Sequence, residues 1–224
     1  MLQDPFLLNR HQATELYLIR HGDAIPGADE IIPSGIYDDL PLSKEGREQA
    51  QKVAERLKRV HFDAVYSSPL VRCRQTAAPL LEYLQLTPTI VEDLKEIHSS
   101  DLANVPPLED PQDLELLSKL LHSRQMETAS LAAYQGHWDG LTNDETSKGF
   151  RQRVVNAMDK IVEDHIGERV IVFCHGGVIN AYAAEVLGLE RDFFFPTVNT
   201  SITIVRANPE TRVLYVLNDI SHLF

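Results

Sequence analysis

Apolar positions along this chain fall into two rhythms. Short continuous runs occur at "LYLI" (Leu16–Ile19), within "DAVYSS" (63–68) and at "VIVFC" (170–174). They have strand length and are flanked by charged or turn-forming residues, and "VIVFC" has the character of a strand buried on both faces. Between them the spacing lengthens. Ala50, Val53, Ala54 and Leu57 recur at i, i+3, i+4, i+7 behind Ser43, which predicts a helix with Ser43 as its N-cap. Ala77, Leu80, Leu81 and Leu84 predict a second helix, in which Pro79 is expected to introduce a kink or a split. Phe150, Val154, Ala157, Met158 and Ile161 predict a third, and "VINAYAAEVLG" a fourth, stopped by Gly188. "TPTIVEDL" has the pattern of an edge strand or extended segment, and "SITIVRA" and "RVLYVLND" are closing strands joined by the hairpin signal "NPET". Strands alternating with helices predict an α/β fold with a mostly parallel sheet, helices on both faces and an antiparallel edge hairpin.

Two stretches depart from this alternation. Residues 23–42 are loop-like, rich in Gly, Pro and Asp. In the second, "ANVPPLEDP" is a linker by composition, "DLELLSKLL" an amphipathic helix with Leu114, Leu117 and Leu121 on one stripe, and "YQGHWDGLTNDETSKG" a polar, turn-rich tract. The expected organisation is a single domain over 1–224 with a cap-like insertion at about 98–148.

Composition narrows the function. The chain is 43% hydrophobic and 24% charged, enough apolar material for a core that needs no disulfide or metal staple. A net charge of −12 disfavours nucleic acid and anionic membrane surfaces as partners, while leaving room for local positive sites. The two cysteines, Cys73 and Cys174, are far apart and outline no disulfide framework. The opening "MLQDPFLLNRHQ" lacks the apolar region of a signal peptide, and no apolar run approaches the ~18 residues of a membrane span. A cytoplasmic location is the expectation.

Candidate chemistry sits at the strand ends. "LYLI" runs into Arg20-His21-Gly22 and "VIVFC" into His175-Gly176-Gly177, while Arg72 lies in the first turn of the helix after "DAVYSS". Ligands of open α/β sheets bind outside the carboxyl ends of the strands. One Arg-His pair at a strand end is ordinary surface; three strand ends carrying cationic groups to one rim call for an anion. A phosphoryl dianion matches paired guanidinium forks, glycines admit it close to the backbone, and the helix after Gly177 points its positive end the same way. Cys174 should face away from His175 and pack in the core, because neighbours in a strand alternate. His11, His61, His98, His122, His137, His165 and His222 show no metal-ligand spacing, so no metal site is expected. Trp138, the single tryptophan, has a core or interface role as the first expectation and ring stacking on a substrate as the second.

These motifs resemble the histidine phosphatase superfamily, in its phosphoglycerate mutase-like branch. "LIRHGD" resembles the RHG signature, "DLPLSKEGREQA" and "SSPLVRCRQTA" the two segments that follow it, "DLKEI" the acidic element, "VIVFCHGGVI" the second histidine segment and "NTSITIV" the closing strand. The resemblance implies His21 as the nucleophile forming phosphohistidine, with Arg20, Arg72 and His175 holding phosphoryl oxygens. It implies Glu96 as the proton donor to the leaving oxygen and then the base toward water. Gly22 and Gly176 would line the substrate. Neither a metal nor a cofactor is implied, the partner is a small phosphorylated substrate, and homodimers occur in such families.

Two departures separate this chain from the mutases of that branch. Asp23, Ala24 and Gly27 stand where mutases carry a Glu, a Ser and an Asn after the RHG element, and "EIHSSDLAN" replaces a tryptophan-containing element after the acid. Gly176 after His175 also departs from the His-Asp pair of the acid phosphatases. The expected activity is therefore a metal-independent phosphomonoesterase on a small phosphorylated metabolite. A cofactor-dependent phosphoglycerate mutase is the alternative, and a non-catalytic phospho-ligand binder the third.

Overall fold

In the computed structural model, residues 4–27, 30, 39–97, 114–139 and 145–224 are described. The linker "ANVPPLEDP", His98 and positions 140–144 of the turn-rich tract lie outside them, as does most of the 28–38 stretch. Six strands form one sheet: β1 (Thr14–Arg20), β2 (Ala64–Ser67), β3 (Thr89–Ile90), β4 (Arg169–Cys174), β5 (Ile202–Ala207) and β6 (Arg212–Asp219). Among the described residues, five α-helices accompany it: α1 (Lys44–Leu57), α2 (Val71–Leu84), α3 (Leu114–Gln135), α4 (Ser147–Asp164) and α5 (Gly176–Leu187).

The sheet order is β3-β2-β4-β1-β5-β6. β3, β2, β4 and β1 run parallel; β5 is antiparallel to β1, and β6 closes the edge as a hairpin. Strand alternation sorts the core into two layers. Leu16, Leu18, Val170, Val172 and Cys174 face α4 and α5, with Phe150, Val154, Met158 and Tyr182 among the residues that meet them. Ile19, Ile171 and Phe173 face α1 and α2, against Val53, Ala54, Leu57, Ala77 and Leu80. Burial on both faces explains why β1 and β4 are apolar without alternation. Cys174 accordingly packs in the core.

Helix ends follow the expected chemistry. The Ser43 hydroxyl accepts the Gly46 N–H at 3.0 Å, capping α1, and α5 ends at Gly188 with φ 64°. At Pro79 the expected split does not occur: α2 runs from Val71 to Leu84 through it. Burial of Cys73, Thr76, Ala77 and Leu80 along one face holds the helix together despite a penalty of ~3 kcal/mol for an interior proline. α3 is also longer than its apolar stripe suggested. It continues from "DLELLSKLL" through helix-favouring residues to Gln135 and stops at Gly136, whose φ is 80°. Trp138 is buried, edge-on to Phe193 at 5.0 Å between ring centres, which gives it a packing role. No helix among the described residues is long and apolar enough to cross a membrane.

The start of α1 is pressed against the loop leaving β1. A Cβ at Gly46 would lie 1.9 Å from the Asp23 carbonyl oxygen. Gly46→Ala is therefore expected to destabilise the fold by about 2–4 kcal/mol, where Gly→Ala in an open helix would stabilise it by up to ~1 kcal/mol. Urea denaturation of the two proteins measures the sign.

Candidate active site

Strand register assembles the site. Arg20 on β1 lies opposite Cys174 on β4, and Ser67 on β2 lies opposite Phe173. Three adjacent strands thus end almost in step, and the residues that follow, His21, His175 and Ser68, share one rim. The His21 N–H donates to the Cys174 carbonyl at 3.0 Å, and the Ser68 N–H to the Phe173 carbonyl at 2.9 Å. The ring centres of His21 and His175 are 5.2 Å apart at 62°.

Both imidazoles are buried, and both titrate well below the usual histidine range. Desolvation is the main cause, and the positive charges of Arg72 and Arg20 add to it. They are neutral at physiological pH. Nδ1 of His21 lies 2.7 Å from the Gly22 carbonyl, a partner that can only accept, so Nδ1 carries the proton and Nε2 keeps its lone pair. In His175 the Nε2 position is occupied, 2.8 Å from the Ser68 hydroxyl and 3.5 Å from Sγ of Cys73. Burial pushes the Cys73 thiol up to about 12, so it stays protonated beneath the ring.

Arg72, in the first turn of α2, stands 3.9 Å from a carboxylate oxygen of Asp39. Arg20 donates through Nη1 to the Thr197 carbonyl, and its side chain passes over Gly176. The Nε of Arg20 is buried and has no hydrogen-bond partner among the described residues. Glu96 completes the group. One carboxylate oxygen accepts the Gly177 N–H at 3.0 Å and the other accepts its neighbour Ile97 N–H at 3.1 Å. Despite these bonds and the nearby arginines, burial raises its pKa above the ordinary carboxylate range. Arg20, His21, Arg72, Glu96 and His175 are thereby brought together. Among the described residues, no group of three or more His, Cys, Asp or Glu could hold a metal ion.

The glycines at the rim differ in what surrounds them. The Gly22 N–H is spent on Thr76 Oγ1 at 2.9 Å, and a Cβ there would lie 2.6 Å from the Gly46 carbonyl oxygen. Gly22 thus serves the packing of the β1 exit against α1. At Gly176 a Cβ would make only ordinary contacts at 3.6 Å. Gly177 is the tight position, since a Cβ there would lie 2.3 Å from Glu96 Oε1.

Several supporting residues were present in the motif segments without their partners being visible. Asp39 accepts the Val71 N–H at 2.7 Å and so caps α2, whose own N-cap Leu70 has no side-chain oxygen. Gln49 accepts the Asp23 N–H, and Gln75 the Leu42 N–H. Asn199 donates to the His21 carbonyl. Of the histidines outside the site, His61 bonds with Asp63, His165 with Tyr66 and Glu168, and His222 with Thr200.

Comparison with known proteins agrees with this geometry. The profile of the histidine phosphatase superfamily (branch 1) matches residues 16–220. A probable phosphatase of Schizosaccharomyces pombe is 30% identical over 93% of this chain and 95% of its own length. A metal-independent phosphoserine phosphatase of Arabidopsis thaliana is 29% identical over 95% of this chain and 84% of its own. Among solved structures, YhfR of Bacillus stearothermophilus superposes with a TM-score of 0.69 at 25% identity, covering 95% of this chain and 100% of its own.

Proposed function

This chain belongs to the histidine phosphatase superfamily (branch 1), and we propose that it hydrolyses a small phosphorylated metabolite without a metal, through a phosphohistidine on His21. That it is a phosphomonoesterase of this type follows from the family and its phosphatase relatives. The observation that carries the finer reading is the orphaned Arg20 Nε, a buried cationic donor beside a second arginine and two neutral imidazoles. A phosphoryl oxygen at that position would satisfy the donor and offset the clustered charge.

In the proposed first step, His21 Nε2 attacks phosphorus. The new P–N bond forms as the P–O ester bond breaks, and the Glu96 carboxyl gives its proton to the departing oxygen. The Nδ1–H bond to the Gly22 carbonyl steadies the positive charge that the ring acquires. Arg20 and Arg72, with His175, hold the three non-bridging oxygens as charge redistributes over them. In the second step Glu96 takes a proton from water, the water oxygen attacks phosphorus, and the P–N bond breaks to release phosphate and neutral His21.

Two observations support metal independence: the guanidinium groups supply the charge that a metal would otherwise bring, and the Arabidopsis relative carries that property in its name. Hydrolysis of p-nitrophenyl phosphate is expected to persist undiminished in excess EDTA; a rate restored only by a divalent cation would overturn this. Transfer between the hydroxyls of 2- and 3-phosphoglycerate, stimulated by bisphosphoglycerate and faster than hydrolysis, would favour the mutase instead. The region at about 98–148 is proposed as the cap that sets substrate choice. In support, this region is tied to the chain segment that leads to Thr197: the Gly136 carbonyl accepts the Asp192 N–H at 2.7 Å and Trp138 packs on Phe193.

A further inference from the structure

Residues 191–198 belong to no helix or strand, yet they reach the site: the Thr197 carbonyl accepts the Arg20 guanidinium. A segment without a backbone ladder must be placed by side chains. Two asparagines do this from opposite sides. Asn180 on α5 is fully buried; its Oδ1 accepts the N–H groups of Phe194 at 3.0 Å and Phe195 at 3.3 Å. Its Nδ2 faces the Phe195 carbonyl at 3.1 Å, Thr197 Oγ1 at 2.9 Å and the Gly176 carbonyl at 3.0 Å, in the turn that follows His175. From β6, Asn218 accepts the Val198 N–H at 2.9 Å through Oδ1 and donates to the Pro196 carbonyl at 3.0 Å through Nδ2. Asn218 has φ 58°, a left-handed conformation that asparagine tolerates better than most residues.

We propose that Asn180 and Asn218 are positioning residues for the phosphoryl site: together they fix the Phe194–Val198 segment, and through the Thr197 carbonyl they set where the Arg20 guanidinium points. The inference rests on Arg20 being a phosphoryl clamp. A long side chain with several rotatable bonds loses affinity for an oxyanion when its direction is undetermined, because the ordering must then occur on binding. The Thr197 carbonyl is the hydrogen-bond partner that orients Arg20, and its own position depends on the two amides.

The test uses inorganic phosphate as a competitive inhibitor of p-nitrophenyl phosphate hydrolysis by the full chain. Asn180→Ala and Asn218→Gly are each expected to raise the phosphate Ki and the KM by about ten-fold, with a smaller change in kcat. Asn218→Gly keeps the left-handed backbone accessible, so it reports even where loss of the buried Asn180 amide prevents folding. In an Arg20→Ala background the same substitutions should leave Ki within about two-fold of that background, since coupled residues are non-additive. Equal weakening with and without Arg20 would mean general loosening and would overturn the proposal. A wild-type Ki in both asparagine variants, with Ki raised in Arg20→Ala, would overturn the proposal alone. An unchanged Ki in Arg20→Ala would overturn the clamp and the proposal with it.

Discussion

His21→Ala is expected to reduce turnover at least ~10³-fold and to abolish the acid-labile phosphoenzyme that rapid quenching should trap in the wild type. Two buried, neutral imidazoles face each other, so charge alone does not identify the nucleophile. Hydrogen bonding does. His175 has Nε2 against the Ser68 hydroxyl and the Cys73 thiol, which blocks an approach to phosphorus from that atom. His21 anchors its ring through Nδ1 to the Gly22 carbonyl and has no hydrogen-bond partner at Nε2 among the described residues. His175→Ala should therefore still form phosphoenzyme, slowly, while His21→Ala should form none. Thermal melts must accompany the kinetics, because the substitution also removes a buried ring and its Nδ1 bond to the Gly22 carbonyl. Phosphoenzyme at wild-type level in His21→Ala would sink the assignment.

The fold was legible because its two periodicities match its two layers. Continuous apolar runs became β1 and β4, buried on both faces, and the 3.6-residue stripes became α1, α2, α4 and α5. At Pro79 local chemistry argues for a kink or a split, and tertiary burial along α2 outweighs the split. α3 was underread because its later residues favour a helix through propensity, with little apolar periodicity to announce it. The site was legible in its charged members, which rhyme at the strand ends. Its fine structure was not, because that depends on which groups meet across the sheet. No spacing rule connects Asp39 to the start of α2, Thr197 to Arg20, or Gly177 to Glu96. The need for glycine at position 22 has the same origin, since the Gly46 carbonyl pressed against it comes from a separate segment of the chain.

Glu96→Gln should separate substrates by leaving group. Turnover of an alkyl phosphate is expected to fall on the order of 10²- to 10⁴-fold, and that of p-nitrophenyl phosphate far less, because a stable phenolate needs little protonation. The pH profile carries the same assignment. A neutral His21 is required, so activity rises as pH increases through the depressed His21 pKa. A protonated Glu96 is required, so activity falls as pH increases through the elevated Glu96 pKa. With one limit lowered by burial and the other raised by it, the optimum for alkyl phosphates should lie on the acid side of neutrality, and Glu96→Gln should erase the alkaline fall. Linkage gives a second sign. Glu96 titrates higher folded than unfolded, so its protonated form stabilises the fold at low pH and that contribution is lost as pH rises through its folded pKa. Glu96→Gln should thus flatten the decline in stability between the unfolded carboxyl pKa and the folded Glu96 pKa, although glutamine can accept only one of the two backbone N–H groups now bound. Gly177→Ala offers an independent route to the same carboxyl, since its methyl group would collide with Oε1 and displace the acid while every ionisable group remains. It should reproduce the leaving-group dependence of Glu96→Gln with the acidic rise unchanged. Equal losses on alkyl and aryl phosphates in both variants would show that Glu96 does not supply the proton.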